Sequence, residues 1–312
     1  MELIYQNFDG LEISFQCAIS ASILKTLEQA KIYSQQNKTQ TFCELGINKL
    51  PVMVYETGAR GGYNYQFSTG HDGEIWLIAD RDNAELWNVR VRVRSLCLAL
   101  RGYEKTKEKI MGILLHDLRA KGSKDNEYLP KERISRIDYC LDFLISEEFS
   151  PDCRNFVCHG RTKKILMGNT FYNQASTGQK VETITIGKMP NRQVTIYNKT
   201  KEISVRLKTY WWKIWGLEKS KIQGVIWRVE IRAGKKELNK WSLRTFADFE
   251  NKVGDVITHI LSEYKYTVPN HDKNQTRWPL ADIWKQALEN PAGHPKCSTY
   301  GHLKVLHLNS RN

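Results

Sequence analysis

The sequence has no apolar run approaching the roughly 20 residues that a membrane-crossing helix needs. It has no CxxC pair either, and its seven cysteines are an odd, scattered set. That pattern argues against a disulfide framework and against a zinc ribbon. Cys17, Cys43, Cys97 and Cys140 stand in apolar contexts and read as small core residues. Cys153, Cys158 and His159 come nearest to a ligand cluster, but no second half completes it. There is no internal repeat and no low-complexity tract. The first ten residues, MELIYQNFDG, carry no basic region followed by a hydrophobic stretch. No signal peptide is expected from them, and the expected location is the cytoplasm, with no membrane partner.

Acidic residues are the scarcer charge, 34 against 47 basic, which leaves a net charge of +13. The sequence pI is near 9.3. Such an excess favours a polyanionic partner, since it raises both encounter rate and affinity for a phosphate backbone. A hydrophobic content of 41% over 312 residues is ordinary for a globular chain and suffices for one large core or two modest ones.

Periodicity divides the chain into short strands and a few helices. Apolar residues at helical spacing predict a helix over 20–37, with Ser20 able to cap it. From 49 to 101 the pattern is one of short β-like runs broken by glycine-rich turns. Within it, Val89, Val91 and Val93 alternate with Arg90, Arg92 and Arg94. An all-arginine strand face either lies along nucleic acid or is a solvated face that needs counter-charge. A helix is expected at 104–121, a short one near 151–158, and a hairpin of strands 181–187 and 192–197 turning at Gly187–Asn191. Residues 200–216, rich in tryptophan, and 244–263 also read as helices, as does 279–289 in the tail. The expected class is α+β: antiparallel sheet with a reactive polar face, and helices on the other face. The expected division is one domain over 1–265, followed by a basic helical appendage or tail over 266–312.

Three strands carry chemistry on one face. Side chains alternate along a strand, so Arg136–Asp142 puts Asp138 and Asp142 opposite Ile137, Tyr139, Leu141 and Phe143. In 193–199, Thr195 and Tyr197 oppose Val194 and Ile196. In 227–232, Arg228, Glu230 and Arg232 oppose Trp227, Val229 and Ile231. Carboxylates suit a hard cation such as Mg²⁺ or Mn²⁺, which polarises a phosphate. A tyrosine oxygen can store phosphodiester energy covalently, but its pKa of ~10 means that a metal or base must help. Lys199, two positions from Tyr197, could stabilise a phenolate or a phosphate oxygen. Arg228 and Arg232 flank Glu230, placed for phosphate. A solvated sheet face held by cross-strand ion pairs would carry the same residue types.

The order of these motifs adds a resemblance. Arg136-Ile-Asp138-x-x-x-Asp142 is followed by Thr185-Ile-Gly187. Then come Ile196-Tyr197-Asn198-Lys199 with Glu202 beyond, and Arg228-Val-Glu230-Ile-Arg232. The series resembles the trans-acting replication initiation factor family, the rolling-circle replication initiators of plasmids and filamentous phages, with related relaxases of conjugative elements. The resemblance is strongest over 130–265 and weaker over 1–100; nothing after 270 is specific to the family. It implies that Tyr197 is the nicking nucleophile and that Asp138 and Glu230 are metal ligands, with Asp142 in the same motif. None of the eight histidines forms the His-hydrophobe-His motif of the larger nickase class, so the implied metal site is built of carboxylates.

The implied reaction is attack by Tyr197 on one DNA strand at an origin, leaving a 5′-phosphotyrosine link and a 3′-OH that primes synthesis. A second transesterification later rejoins the strand. Arg90, Arg92, Arg94, Lys188, Arg192 and Arg232 are candidates for backbone contacts. The resemblance also implies a host helicase and a single-strand-binding protein as partners, and leaves room for a homodimer. A mobilisation relaxase shares the residues and the chemistry. A DNA-binding regulator that never cuts and a nuclease that uses water remain as alternatives.

Overall fold

A computed structural model describes residues 1–126, 128–146, 148–158, 172–177 and 180–290. Its contacts separate into two units. One is formed by Asp9–Ile137 with Arg244–Ala247; the other by Met1–Phe8, Asp138–Leu243 and the chain from Asp248 onward. The class is α+β, as the alternation of residues implied, and the pairings below are all antiparallel. No described helix is long and apolar enough to cross a membrane.

The first unit takes most of strand β1 (Glu2–Gln16), helix α1 (Ala21–Asn37) and strands β2 (Thr41–Leu45), β3 (Leu50–Val54), β4 (Tyr65–Ser68), β5 (Ile75–Ile78) and β6 (Trp87–Val93). Helix α2 (Ser95–Gly112) and the first half of β7 (Lys131–Ile145) complete it. The strand order is β2-β3-β4-β5-β6-β1-β7. Val89 and Val91 of β6 pair with Phe15 and Ile13 of β1 and are wholly buried with them. Helix α1 inserts Ile23, Leu27 and Ala30, the stripe its sequence showed. Helix α2 begins at Ser95, earlier than 104, because Leu96, Cys97, Leu98 and Ala99 are a buried helical turn and not the end of a strand. Gly102 (φ 71°) breaks the helical path between that turn and the expected amphipathic stretch. The last turn, Ile113–Asp117, widens to a π-helix.

In the second unit the order is β1-β7-β12-β11-β10-β9, where β9 is Tyr172–Thr177, β10 Lys180–Gly187, β11 Arg192–Asn198 and β12 Val225–Gly234. A two-stranded sheet pairs β8 (Phe156–Cys158) with β13 (Tyr264–Tyr266). The expected hairpin is present: Thr185 faces Thr195, and Thr183 faces Tyr197. Its first strand ends at Gly187, whose φ of 85° and whose approach to the Arg192 carbonyl, 2.3 Å from where a Cβ would stand, admit only glycine. Ile184, Ile186, Val194, Ile196, Val229 and Ile231 are fully buried on one face. Helix α6 (Phe246–Glu263) covers the Tyr139 side of β7, with Phe249 4.9 Å from Phe8 and Phe8 5.4 Å from Tyr139.

Two expectations change. The region 200–216 is not one helix but two, α3 (Lys199–Val205) and α4 (Tyr210–Trp215), joined by a turn. The short helix at 151–158 is a single turn, Cys153–Asn155, before strand β8. The helix expected at 279–289 is present. Helix α7 (Asp282–Glu289) buries Trp284 completely, and its indole donates to the Leu261 carbonyl at 3.0 Å. His159 and residues 291–312 lie outside the described residues.

Candidate active site

The second unit gathers the sequence motifs onto one sheet face. In the β11–β12 register Gln193 faces Arg232, Thr195 faces Glu230 and Tyr197 faces Arg228. Strand β7 flanks β12 on its other side. It brings Asp142 to Arg228 and Asp138 to within 3.9 Å of Arg232. The expected shared face is therefore real, but it is not solvated.

Asp142 and Arg228 have no exposure at all. The guanidinium Nε donates to Asp142 Oδ1 at 2.5 Å and Nη2 to Oδ2 at 2.7 Å, a two-pronged charge-assisted pair. The Trp215 indole also donates to Oδ2, at 2.9 Å. The Trp211 ring lies 4.4 Å from the Arg228 guanidinium. Tyr5 meets Trp211 edge-on at 5.5 Å, and burial pushes its phenol well above the ordinary value. Helix α4 thus caps this end of the face. Asp142, expected as a metal ligand, has both oxygens taken, and Arg228, expected on phosphate, faces inward. The correction has a physical cause: a tryptophan-lined helix excludes water, and each charge then needs the other.

The other end is less closed. Asp138 and Glu230 are buried carboxylates on adjacent strands, and both address Arg232, at 3.9 Å and 2.5 Å respectively. Arg232 also donates to Gln193 Oε1 at 2.9 Å, and its side chain is 28% exposed. Among the described residues no group of three or more His, Cys, Asp or Glu side chains is placed to hold a metal ion. Two carboxylates facing one partly exposed arginine do fit a hard cation of the kind that takes one or two protein carboxylates and completes its shell with water and phosphate.

Tyr197 is the last residue but one of β11, and the chain turns at once into α3, where Asn198 caps by accepting from the Lys201 amide at 2.9 Å. Lys199 is therefore the first residue of a helix and not part of the strand. Its ammonium is buried, 3.5 Å from the Tyr197 hydroxyl, 2.9 Å from Glu202 and 4.7 Å from the Trp211 ring. Lys208 donates to the other Glu202 oxygen at 2.8 Å. Burial alone would raise the Glu202 carboxyl, but Lys199 and Lys208 outweigh it and hold the group below the ordinary carboxylate range. A value depressed in the folded state stabilises the fold above the unfolded pKa, and that stabilisation is lost as pH falls through the folded value. Glu202→Gln is thus expected to lower stability near about pH 7 while losing less on acidification than the wild type. Acid titration followed by circular dichroism checks this; equal acid slopes for the two proteins would contradict it.

The basic candidates separate. Lys188 is exposed in the hairpin turn. Arg192 instead anchors the hairpin, donating to Glu263 at 2.9 Å and lying 3.5 Å from buried Glu237. Arg90, Arg92 and Arg94 belong to the first unit. Arg90 pairs with Glu12, which also lies 3.9 Å from Arg136. Arg94 donates to the carbonyls of Gly73 (2.9 Å) and Gly70 (2.6 Å). The Arg92 Nε is buried without a hydrogen-bond partner. Of these three arginines, Arg90 thus meets a counter-charge and Arg94 meets backbone carbonyls instead. Gln193 was not singled out by sequence reasoning, though it precedes Thr195 and Tyr197 at the same two-residue period.

The structure is similar to that of a rolling circle replication initiator protein from Geobacillus stearothermophilus, over 91% of this chain and 95% of that chain, with 14% sequence identity and a TM-score of 0.48. No family model and no curated protein matches the sequence.

Proposed function

We propose that the protein is a rolling-circle replication initiator that nicks one strand of its origin with Tyr197 as the nucleophile. The observation that carries this reading is the juxtaposition of the Tyr197 hydroxyl, the Lys199 ammonium 3.5 Å away, and the Asp138–Glu230 carboxylates on the same sheet face. These are the residues that the motif order resembling the initiator family assigns to nicking.

In this reading the Tyr197 oxygen gives up its proton to water as it bonds to the scissile phosphorus. The P–O3′ bond breaks, and the released oxygen takes a proton to become the 3′-OH primer. Lys199, paired with Glu202, stabilises negative charge on the phenolate and the phosphate. Asp138 and Glu230 would hold Mg²⁺ or Mn²⁺, which when bound supplies Lewis-acid polarisation of the phosphate. Arg232, partly exposed, can leave the carboxylates and contact the DNA backbone, with Lys188 at the hairpin turn. The Asp142–Arg228 pair ties β7, which carries Asp138, to β12, which carries Glu230. A helicase and a single-strand-binding protein are the partners such a reaction calls for. A homodimer would let a second tyrosine serve the closing step.

The test is cleavage of labelled single-stranded DNAs tiled across the protein's own replicon, with Mg²⁺ or Mn²⁺ added. The expected product is a 3′ end that a polymerase extends. Glu230→Ala is expected to bind the same strands but cut them on the order of 10²-fold more slowly. Its fold should persist, since Arg232 keeps Asp138 within reach. Cleavage that leaves a free 5′ phosphate would favour a water-using nuclease, and binding without cleavage a regulator.

A further inference from the structure

The turn that joins α3 to α4 holds two large apolar side chains in the open: Val205 is 73% exposed and Leu207 80%. Arg206 between them has a side chain 69% exposed. Single exposed leucines are common on proteins and need no explanation. Leu207 differs in its backbone. It stands at φ 53°, in the left-handed region, at the position after a helix end that glycine or asparagine ordinarily takes. The helix end closes around it, with the Arg206 amide donating to the Glu202 carbonyl and the Lys208 amide to the Ile203 carbonyl, both at 3.0 Å. A leucine in that conformation costs backbone energy, and at 80% exposure it gains little packing in return.

Two further observations say what would cover the tip. Residues 199–221 contain seven lysines and arginines against two glutamates, so the surroundings complement a polyanion. The tip is also tied to the nucleophile through one carboxylate. Glu202 accepts from Lys208 at 2.8 Å and from Lys199 at 2.9 Å, and the Lys199 ammonium lies 3.5 Å from the Tyr197 hydroxyl.

We infer that Val205 and Leu207 form an apolar wedge that enters the base stack of duplex DNA beside Tyr197. Arg206, Lys208 and exposed Lys213 sit on the flanking phosphates. Apolar side chains pushed between base steps unstack them and kink the duplex. The wedge rests on the nickase reading and adds to it: it opens the duplex locally, so that the single strand reaching Tyr197 comes from the same DNA.

Leu207→Gly tests this without threatening the fold, because glycine suits the left-handed position and removes a side chain that packs little. Its melting temperature should equal or exceed that of the wild type. On single-stranded substrate its nicking rate should stay within about 2-fold of wild type, whereas on the same sequence as a duplex it should fall by about 10-fold or more. Parallel loss on both substrates, or on neither, overturns the wedge. So does a change in oligomeric state of Leu207→Gly on gel filtration, which would assign the tip to a second copy of the chain. Failure of the wild type to nick single strands would remove the underlying reading, and the wedge with it.

Discussion

Tyr197→Phe is expected to abolish strand cleavage, by on the order of 10⁴-fold or more, while leaving the fold and DNA binding intact. The two magnitudes are far apart. The fold loses the hydrogen bond that the Lys199 ammonium donates to the hydroxyl of half-buried Tyr197 at 3.5 Å, worth about 1 kcal/mol or less. On the proposed function the reaction loses its nucleophile, a barrier change of about 5 kcal/mol or more. Urea unfolding and a cleavage assay on the same preparation separate them. Full cleavage by Tyr197→Phe would move the chemistry to another residue or to water. An equal drop in stability and cleavage would make Tyr197 a structural residue.

Arg228→Ala is expected to be the most damaging single change to the second unit, costing about 3–5 kcal/mol. It strands the Asp142 carboxylate in a site with no exposure, where the Trp215 indole alone remains from the interactions described above. Arg228→Lys should rescue little, since an ammonium cannot make two parallel bonds to one carboxylate. The double change Asp142→Leu with Arg228→Met should recover most of the loss, because two apolar side chains can replace a buried ion pair at small cost. Unfolding midpoints of the three variants, followed by tryptophan fluorescence, decide this. A stability for Arg228→Ala within about 0.5 kcal/mol of wild type would mean that water reaches the pair.

The sequence made the strands of the site legible because alternation is a local property. Asp138 and Asp142, Thr195 and Tyr197, and Arg228, Glu230 and Arg232 share the face that a two-residue period assigns them. What lay beyond reach was which part of that face is covered. Asp142 and Asp138 look alike along the chain; only the fold of α4, with Trp211 and Trp215, distinguishes a sealed carboxylate from one beside a partly exposed arginine. The reversal between α3 and α4 carries no glycine or proline signal, because Leu207 occupies the left-handed position. Lys199 was placed near Tyr197 for the wrong local reason, as a strand neighbour, and the helix start brings it to the hydroxyl instead. The division of the chain was equally hidden, since β1 and β7 each contribute residues to both units.

The most direct test of the central claim is to identify the residue that carries DNA. Wild-type protein would be incubated with its origin strand and Mg²⁺ or Mn²⁺, digested with nuclease and then trypsin, and analysed by mass spectrometry. Trypsin cuts after Arg192 and Lys199, so the peptide Gln193–Lys199 contains Tyr197 as its one tyrosine. This peptide is expected to carry a nucleotide, joined through Tyr197. A nucleotide on any other peptide, or cleaved DNA with no modified peptide, would contradict it.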